Sequence, residues 1–284
     1  MDVSIIIVNY NTLKMTSECI DSVIEKTHGI SYEIILVDNG SSDGSKEYFE
    51  HDTRIKYIYS ENNLGFGQAN NIGAKHAIGK YLFLLNSDTI LIENSINVLY
   101  DFLRTNHKYV ACGCQLIYAD GSYQESHIKF PSLKRDFNEI IPAKFKHSKR
   151  HDEYYRFSDT LESIDSIKGA NIFIKSDVFK EFGGFDVDYF MYYEETDLFY
   201  RIKNRGYQIA VIPDTKIIHI DGGSFAKISI PKYLMMYQSK LLFYSKHHSI
   251  TYQFLARLIL STSILVRSYI FKLSTFHMIS AIWK

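Results

Sequence analysis

Four groups of polar residues in this 284-residue chain could take part in catalysis or binding. The first ends the run YLFLLNSDT at residues 81–89, where an apolar segment meets a polar cluster with one carboxylate, Asp88. Ligand sites of open α/β sheets lie beyond the carboxyl ends of parallel strands, so Asp88 is a candidate for binding a metal ion or a phosphate. The alternative is that Asn86, Ser87 and Asp88 form a turn that caps the next helix.

A second carboxylate, Asp38, directly follows the apolar run at residues 33–37 and begins the loop DNGSSDGS. A carboxylate in this position can accept hydrogen bonds from a ribose hydroxyl or a base N–H, while small residues allow the chain to turn beneath a ligand. An ordinary strand-to-helix loop is the alternative interpretation.

Three acids, Glu194, Glu195 and Asp197, form the third group within the aromatic segment FMYYEETD at residues 190–197. The helix dipole favours acids at a helix N-terminus, so simple capping is one interpretation. Carboxylates that lie beside apolar rings and beside each other have raised proton affinity, which suits a general base. Asp197 is expected to pair with Arg201 one helical turn later, which is a structural role.

The fourth group is His219, which ends the last predicted strand and precedes a glycine pair. A lone histidine on a strand is more often a packed or surface residue than a ligand. At a strand end, however, a neutral imidazole is well placed to coordinate a metal ion.

Two nucleotide-binding motifs are missing from the sequence. The first predicted strand runs into Val8-Asn9-Tyr10-Asn11 without a glycine, whereas a dinucleotide site needs GxGxxG there. The one GxG, at residues 65–67, has Asn70 in place of the third glycine, and no GxxxxGK[ST] occurs. Nicotinamide and P-loop chemistry are therefore disfavoured.

The charges are unevenly distributed, although the formal net charge is zero and gives no indication of a nucleic-acid partner. After Asp221 there are eight basic residues and no acid, so the preceding part holds 24 basic against 32 acidic residues. Three cysteines, Cys19, Cys112 and Cys114, form no ligand quartet, and their odd number favours a reducing, cytoplasmic location. No apolar stretch reaches the roughly 18 to 20 residues needed to span a bilayer.

Strand and helix patterns alternate through the first two thirds of the chain, which predicts a parallel sheet covered on both faces. Strands are predicted at residues 3–8, 33–37, 55–59, 81–85, 109–114, 116–118, 170–174, 209–212 and 216–220. Residues 129–163 lose a clear period and are interpreted as a loop-rich excursion over the active face. Two tail helices are predicted near residues 232–247 and 252–272.

These signals, in this order, resemble the inverting family 2 glycosyltransferases of the GT-A fold, especially the bacterial rhamnosyltransferase-like branch. The resemblance covers about residues 3–224. It rests on VSIIIVNYN at 3–11, VDNGSSDG at 37–44, NLGF at 63–66, NNIG at 70–73, LLNSDT at 84–89, GA at 169–170, GGFD at 183–186, YEETDL at 193–198, and His219 with GGS at 222–224.

The resemblance implies a domain organisation. Residues 1–224 would form an α/β catalytic domain of the GT-A type, a Rossmann-like, mostly parallel sheet flanked by helices. Its nucleotide-binding half would cover about residues 1–114 and its acceptor half about 115–224. Residues 225–284 would form a basic, amphipathic helical tail.

The resemblance also implies site residues. Asn9 and Asp38 would contact the nucleoside and Asn71 the diphosphate, within a donor-binding set of Val8, Asn9, Tyr10, Asp38, Asn39, Asn71, Asn86 and Ser87. Asp88, in the DXD-like element, and His219 would bind Mn²⁺ or Mg²⁺. Glu195 would be the catalytic base with Glu194 beside it, and Tyr193 and Asp186 would contact the acceptor. The chain departs from the family pattern at Asn86, where an acid is usual, and at Glu195, where Asp is usual.

The function implied is a cytoplasmic, metal-dependent, inverting transferase that extends a bacterial surface polysaccharide such as an O-antigen or capsule, on a lipid carrier. The favoured donor is dTDP-rhamnose, with UDP-hexose or UDP-galactofuranose as alternatives. A catalytically silent nucleotide- or glycan-binding module is the alternative from another class. The basic tail is expected to lie on an anionic membrane surface, or else to pack on the acidic body as a cap or form a dimer contact.

Overall fold

The computed structural model describes residues 1–138, 140, 164–220, 230–271 and 282. Most of the predicted excursion, at residues 141–163, lies outside these described residues. So do Asp221, the motif at residues 222–224 with the predicted domain boundary, and Lys272.

The strands of the described residues are β1 (Val3–Asn9), β2 (Tyr32–Asp38), β3 (Lys56–Tyr59), β4 (Tyr81–Asn86), β5 (Thr89–Leu91), β6 (Tyr109–Ile117), β7 (His127–Ile128), β8 (Ser166–Ile167), β9 (Asn171–Lys175) and β10 (Gln208–His219). Eight of them form one sheet in the order β3-β2-β1-β4-β9-β6-β10-β5, and β7 pairs with β8. Strands β5 and β9 run against the common direction of the other six. The predicted mostly parallel α/β sheet is confirmed.

The helices are α1 (Leu13–Lys26), α2 (Ser45–Phe49), α3 (Phe66–His76), α4 (Ser95–Thr105), α5 (Leu133–Asn138), α6 (Ser176–Glu181), α7 (Glu194–Asn204), α8 (Ile230–His247) and α9 (Ile250–Phe271). Apolar residues of α1 and α4 share one core with one face of the sheet, and those of α3, α6 and α7 share a second core with the other face. Strand β1 contributes side chains to both cores, because Ile5 and Ile7 point to the first and Ile6 points to the second. This two-sided burial explains its unbroken apolar run.

The structure differs from the predicted strands in three respects. Residues 109–117 hold the single strand β6 instead of two strands, and a turn follows it, in which the Gly121 amide donates to the Tyr118 carbonyl. Residues 208–219 also form one strand, β10, whose register with β6 shifts between Ile212 and Lys216. Pro213 lies within that shift and cannot donate a ladder hydrogen bond. The short strands β5, β7 and β8 were not predicted, since two or three residues show no periodicity.

The tail packs on the body through ion pairs. Asp136 of α5, whose side chain is fully buried, accepts hydrogen bonds from Lys240 (2.7 Å) and Tyr244 (2.6 Å) of α8. Lys246 binds both Asp186 and Asp188. These two lysines therefore face the acidic body, as the alternative of a cap expects, and a membrane contact of the rest of the tail stays a prediction.

A further link joins the tail to α7. Asp197 accepts hydrogen bonds from Arg201 on one oxygen and His247 of α8 on the other, both at 2.7 Å. The predicted pairing of Asp197 with Arg201 is confirmed. None of the helices in the described ranges combines the length and the apolar character that crossing a membrane requires.

The buried Asp136 contact yields a stability prediction. Asp136→Ala leaves the Lys240 ammonium and the Tyr244 hydroxyl without this acceptor, so the free energy of unfolding is expected to fall by about 3 kcal/mol. Urea denaturation followed by tyrosine fluorescence measures the change. Asp214→Ala, at an exposed position of β10, is the matched control and is expected to change the stability by less than about 0.5 kcal/mol. Equal stabilities of the two variants would show that the contact does not hold the tail.

Candidate active site

A cavity of about 300 Å³ opens at the sheet edge where the carboxyl ends of β1, β4 and β10 lie. Because these strands are parallel, residues distant in sequence arrive at the same edge. The predicted site residues that line the cavity are Val8, Tyr10, Asn39, Asn86, Ser87, Asp88, Glu194, Glu195 and His219.

Asp88 and His219 meet because β5 pairs with the end of β10. Thr89 lies opposite His219 in this antiparallel pair, and the Ile220 amide donates to the Asp88 carbonyl at 2.9 Å. The Asp88 Oδ1 atom lies 3.3 Å from His219 Nε2, and both side chains are nearly buried. The two residues predicted to bind a metal ion are therefore neighbours.

The donor atoms at this edge suit Mn²⁺ or Mg²⁺. Besides the Asp88 carboxylate and the His219 imidazole, the buried Oδ1 atom of Asn86 has no hydrogen-bond partner in the described structure and belongs to the same cavity. Carboxylate, amide and imidazole groups are ligands these cations accept, with phosphate and water completing the shell. Within the ranges that the structure describes, no cluster of three or more His, Cys, Asp or Glu residues could hold a metal. Asp88, His219 and Asn86 fit a cation whose remaining ligands would be phosphate and water.

Two predicted nucleoside contacts, Asn9 and Asp38, are buried in the scaffold and do not line the cavity. Asn9 Oδ1 accepts hydrogen bonds from Thr12 and Thr16 at the start of α1. Asp38 accepts from the Ser41 amide at 3.0 Å and from the Tyr57 hydroxyl at 2.8 Å. The Asn9 bonds fix the turn from β1 into α1, and the Asp38 bonds shape the loop after β2. Both side chains thus support loops beside the cavity, and their contact with a nucleoside stays a prediction.

Asn39 combines both roles. The side-chain Nδ2 of Asn39 donates to Asn63 Oδ1 at 2.9 Å, and its Oδ1 accepts from the Leu64 backbone amide at 2.9 Å. Asn39 therefore fixes the loop after β3, and it also lines the cavity.

Three other predicted residues lie elsewhere. Asn71 bonds both backbone polar groups of Phe185, at 2.7 and 2.9 Å, and with Asp186 it lines a separate cavity of about 590 Å³. Asp186 is also occupied by Lys246. Tyr193 packs against Phe243 of the tail. The structure therefore does not bring Asn71, Asp186 or Tyr193 to the cavity, because contacts with distant parts of the chain hold each of them away.

The segment before α7 has a strained backbone. Tyr192 and Tyr193 both have φ near 70°, which is uncommon for residues with a side chain. This conformation places Tyr192 at the cavity and starts α7 directly at the two acids. Tyr192 thus takes the position at the cavity that was predicted for Tyr193.

Glu194 and Glu195 are both buried beside the cavity. Burial, and then the charge of Glu195, raises the pKa of Glu194 well above its usual range. Burial also raises the pKa of Glu195, to about 7, although the amides of Glu195 and Thr196 and the charge of Lys168 oppose the shift. Glu194 Oε2 has no hydrogen-bond partner among the described residues. Glu195 is thus poised to exchange a proton near neutral pH.

The loop after β3 and the segment before α7 form two walls of the cavity, and they are joined beside Gly65. The Phe66 amide donates to the Phe190 carbonyl at 3.1 Å, and a Cβ atom on Gly65 would lie 2.1 Å from that oxygen. Gly65 also has φ of 83°, which favours glycine. The loop after β3 is therefore fastened to the segment that precedes the acids.

Sequence reasoning missed several cavity residues, among them Lys168, Met191 and Lys232. Lys168 directly precedes the Gly169-Ala170 motif, so its position was the available signal. Lys232 belongs to α8, which was interpreted as part of a separate tail, and nothing in the sequence indicated that this helix reaches the site.

Comparison with known proteins gives a consistent result. The family model described as Glycosyl transferase family 2 matches residues 4–178. The chain is 35% identical over 127 residues to Glycosyltransferase GlyG of Streptococcus pneumoniae serotype 4, a match covering 43% of this chain and 42% of that protein. It is 24% identical over 253 residues to the N-acetylglucosaminyl-diphospho-decaprenol L-rhamnosyltransferase of Mycobacterium tuberculosis, covering 84% of this chain and 82% of that one.

Among solved structures, the fold is similar to that of GalNAc-T7, crystallised with UDP, GalNAc and Mn²⁺. The TM-score is 0.62 and the identity 18%, and the match covers 86% of this chain and 48% of the other.

The buried acids predict a dependence of stability on pH. A carboxyl group with a raised pKa in the folded state stabilises the fold fully below its unfolded pKa, near 4.5, and loses this contribution as pH rises through the folded value, about 7 for Glu195. Glu194→Gln removes one of the two ionisations. Between pH 5 and pH 8, the melting temperature of this variant is therefore expected to fall by about 2–4 °C less than that of the wild type.

Differential scanning calorimetry at the two pH values measures this difference. Glu181→Gln, at the exposed end of α6, is the matched control and is expected to keep the wild-type pH dependence. A Glu194→Gln variant with an unchanged pH dependence would contradict the raised pKa values.

Proposed function

The chain belongs to glycosyl transferase family 2, and we propose that it transfers a sugar from a nucleotide-diphosphate donor to a hydroxyl group of a glycan. The observation that carries this proposal is that one cavity holds the Asp88–His219 pair and the buried pair Glu194 and Glu195. The first pair suits the phosphates of a donor, and the second suits removal of a proton from an acceptor.

On the donor side, Asp88 and His219, with the amide oxygen of Asn86, would hold Mn²⁺ or Mg²⁺. When bound, the cation supplies positive charge that stabilises the diphosphate as it leaves. Lys168 and Lys232, which line the same cavity, would add further positive charge around the phosphates. The structural similarity to GalNAc-T7, crystallised with UDP and Mn²⁺, supports this arrangement.

On the acceptor side, Glu195 would act as the base. A pKa of about 7 leaves a large share of Glu195 ionised at neutral pH, and burial together with the charge of Glu195 raises the pKa of Glu194, which favours the protonated form of that neighbour. Glu195 would take the hydroxyl proton as the acceptor oxygen attacks the anomeric carbon and the bond to the diphosphate breaks. A single displacement from the opposite face inverts the anomeric centre and requires no covalent enzyme intermediate.

We propose dTDP-rhamnose as the donor and a lipid-linked glycan of a bacterial surface polysaccharide as the acceptor. Support comes from the similarity to a mycobacterial rhamnosyltransferase whose name states a diphospho-decaprenol acceptor. UDP-hexose and UDP-galactofuranose are the competing donors. A silent nucleotide- or glycan-binding module competes from outside the enzyme class, and Asn86 and Glu195 would then be signs of lost activity.

We also propose that the protein works at the cytoplasmic surface of an anionic membrane, with α9 as the contact. Exposed apolar residues share one face of this helix, namely Ile250, Phe254, Leu255, Leu258 and Leu265. The sequence has no acid after Asp221, so nothing in this segment repels anionic lipids. The tail would thus combine two roles, since α8 caps the catalytic domain and α9 faces the lipid.

The proposed catalysis predicts two losses of activity. Glu195→Gln is expected to lower turnover by about 10² to 10⁴-fold with donor binding retained, because the base is lost. Asp88→Asn is expected to lower turnover by about 10² to 10³-fold, because charge stabilisation on the leaving group is lost. Release of nucleoside diphosphate from a panel of dTDP- and UDP-sugars, with and without Mn²⁺, measures both and identifies the donor.

Asp214→Asn and Glu181→Gln, both at exposed sites, are the controls and are expected to keep full turnover. Donor binding by the wild type without turnover across a broad acceptor set would favour the silent module. Full turnover in Glu195→Gln would remove Glu195 as the base.

The membrane proposal predicts that Leu258→Glu with Leu265→Glu lowers co-sedimentation with anionic phospholipid vesicles by at least about 10-fold, because apolar burial drives interfacial binding. Ile78→Glu, which alters an exposed apolar residue beyond α3, is the matched control and is expected to bind like the wild type. Unchanged vesicle binding, or a loss of dimerisation in gel filtration instead, would argue against a lipid contact.

A further inference from the structure

Gln124 is a buried residue that contacts His219 twice, and sequence analysis did not single it out. It follows the turn after β6, where its amide donates to the Leu116 carbonyl at 2.9 Å, and it is 1% exposed. Its side-chain Nε2 lies 2.5 Å from the backbone carbonyl of His219, and its Oε1 lies 3.0 Å from His219 Nδ1. One amide therefore spans the backbone and the ring of the same histidine.

The two contacts determine the orientation of the amide. A backbone carbonyl only accepts hydrogen bonds, so the Gln124 atom that faces it must be the NH₂ group. A flipped amide would place two acceptor oxygens against each other. The atom that faces the ring is therefore the carbonyl oxygen Oε1, which also only accepts.

This orientation selects one tautomer of His219. Because Oε1 cannot donate, Nδ1 must carry a proton to make the 3.0 Å contact. In the neutral imidazole, Nε2 then presents its lone pair, and Nε2 is the atom that lies 3.3 Å from Asp88 Oδ1. An imidazole lone pair and a carboxylate oxygen facing each other are the arrangement that a shared cation stabilises.

We propose that Gln124 is a positioning residue that holds His219 in the Nδ1-protonated tautomer, so that Nε2 is available to a divalent cation shared with Asp88. This inference rests on the metal site of the proposed function. It adds to that site a residue outside the ligand set, which acts through the histidine and does not line the cavity.

Gln124 is itself held in place. The side-chain amide of Gln115 donates to the backbone carbonyl of Gln124 at 3.1 Å and to Ser126 Oγ at 2.8 Å. The Leu116 backbone amide also donates to Ser126 Oγ, at 2.8 Å. Gln115 and Ser126 are buried as well. These bonds fix the backbone at Gln124, so its side chain extends toward His219 from a fixed position, which a fixed histidine tautomer requires.

The experiment uses Gln124→Met in the whole 284-residue chain, a change that keeps the side-chain volume and removes both hydrogen bonds to His219. Two-dimensional ¹H–¹⁵N spectra of ring-labelled histidine report the His219 tautomer in the metal-free protein. We expect Nδ1–H in the wild type, and in the variant a shift toward Nε2–H, which can donate to Asp88. Titration with Mn²⁺ alone, followed by electron paramagnetic resonance, is expected to show about 10- to 100-fold weaker binding in the variant.

Two further variants separate positioning from general structure. Gln124→Glu keeps an acceptor opposite Nδ1, so it is expected to retain the Nδ1–H tautomer and Mn²⁺ binding even where its melting temperature falls. Gln253→Met is the matched control, because Gln253 also donates to a histidine carbonyl, that of His248, at 3.0 Å, but in the tail. It is expected to leave the tautomer and the Mn²⁺ affinity unchanged.

An Nε2–H tautomer in the metal-free wild type overturns the inference, and so does a folded Gln124→Met variant that binds Mn²⁺ as the wild type does. Failure of the wild type to bind Mn²⁺ overturns the metal site of the proposed function. That failure is recognised separately, because the tautomer is measured without metal.

Discussion

The candidate site depends on the pairing of a three-residue strand, β5, with the last residues of β10. This pairing turns the chain back immediately after β4, so that Asp88 is held beside His219, 131 positions later in the sequence. Without it, Asp88 would sit in a free turn and His219 at an unpaired strand end. The backbone ladder of β5 thus supplies the precision that the two side chains need.

Much of this arrangement could be predicted, because parallel strands bring their carboxyl ends to one edge. That rule alone places Asp88, His219 and the loop after β2 together. It does not reveal which polar side chains face a ligand and which ones support a loop. Asp38 and Asn71 follow the expected pattern, yet Tyr57 and the backbone of Phe185 occupy them, and these partners lie far away in sequence.

The tail shows a similar division between what the sequence reveals and what it does not. The opposite charges of body and tail predicted an attraction between them, but charge alone could not decide between a membrane and the protein's own acids. Lys240 faces the protein because Asp136 is buried, and a carboxylate removed from water needs a cation or hydroxyl partner inside the fold. The contacts of Lys240 and Tyr244 with Asp136 hold α8 against the body, and Lys232, near the start of the same helix, then lies at the cavity.

The contact at Gly65 has a consequence for how donor preference evolves. The Phe66 amide and the Phe190 carbonyl join the two walls through backbone atoms, so the width between those walls does not change with side-chain rotamers. A lineage that exchanges one sugar for another can therefore substitute the side chains that project into this gap while the frame stays as it is. Divergent members of such a lineage should differ at the lining positions and share the glycine.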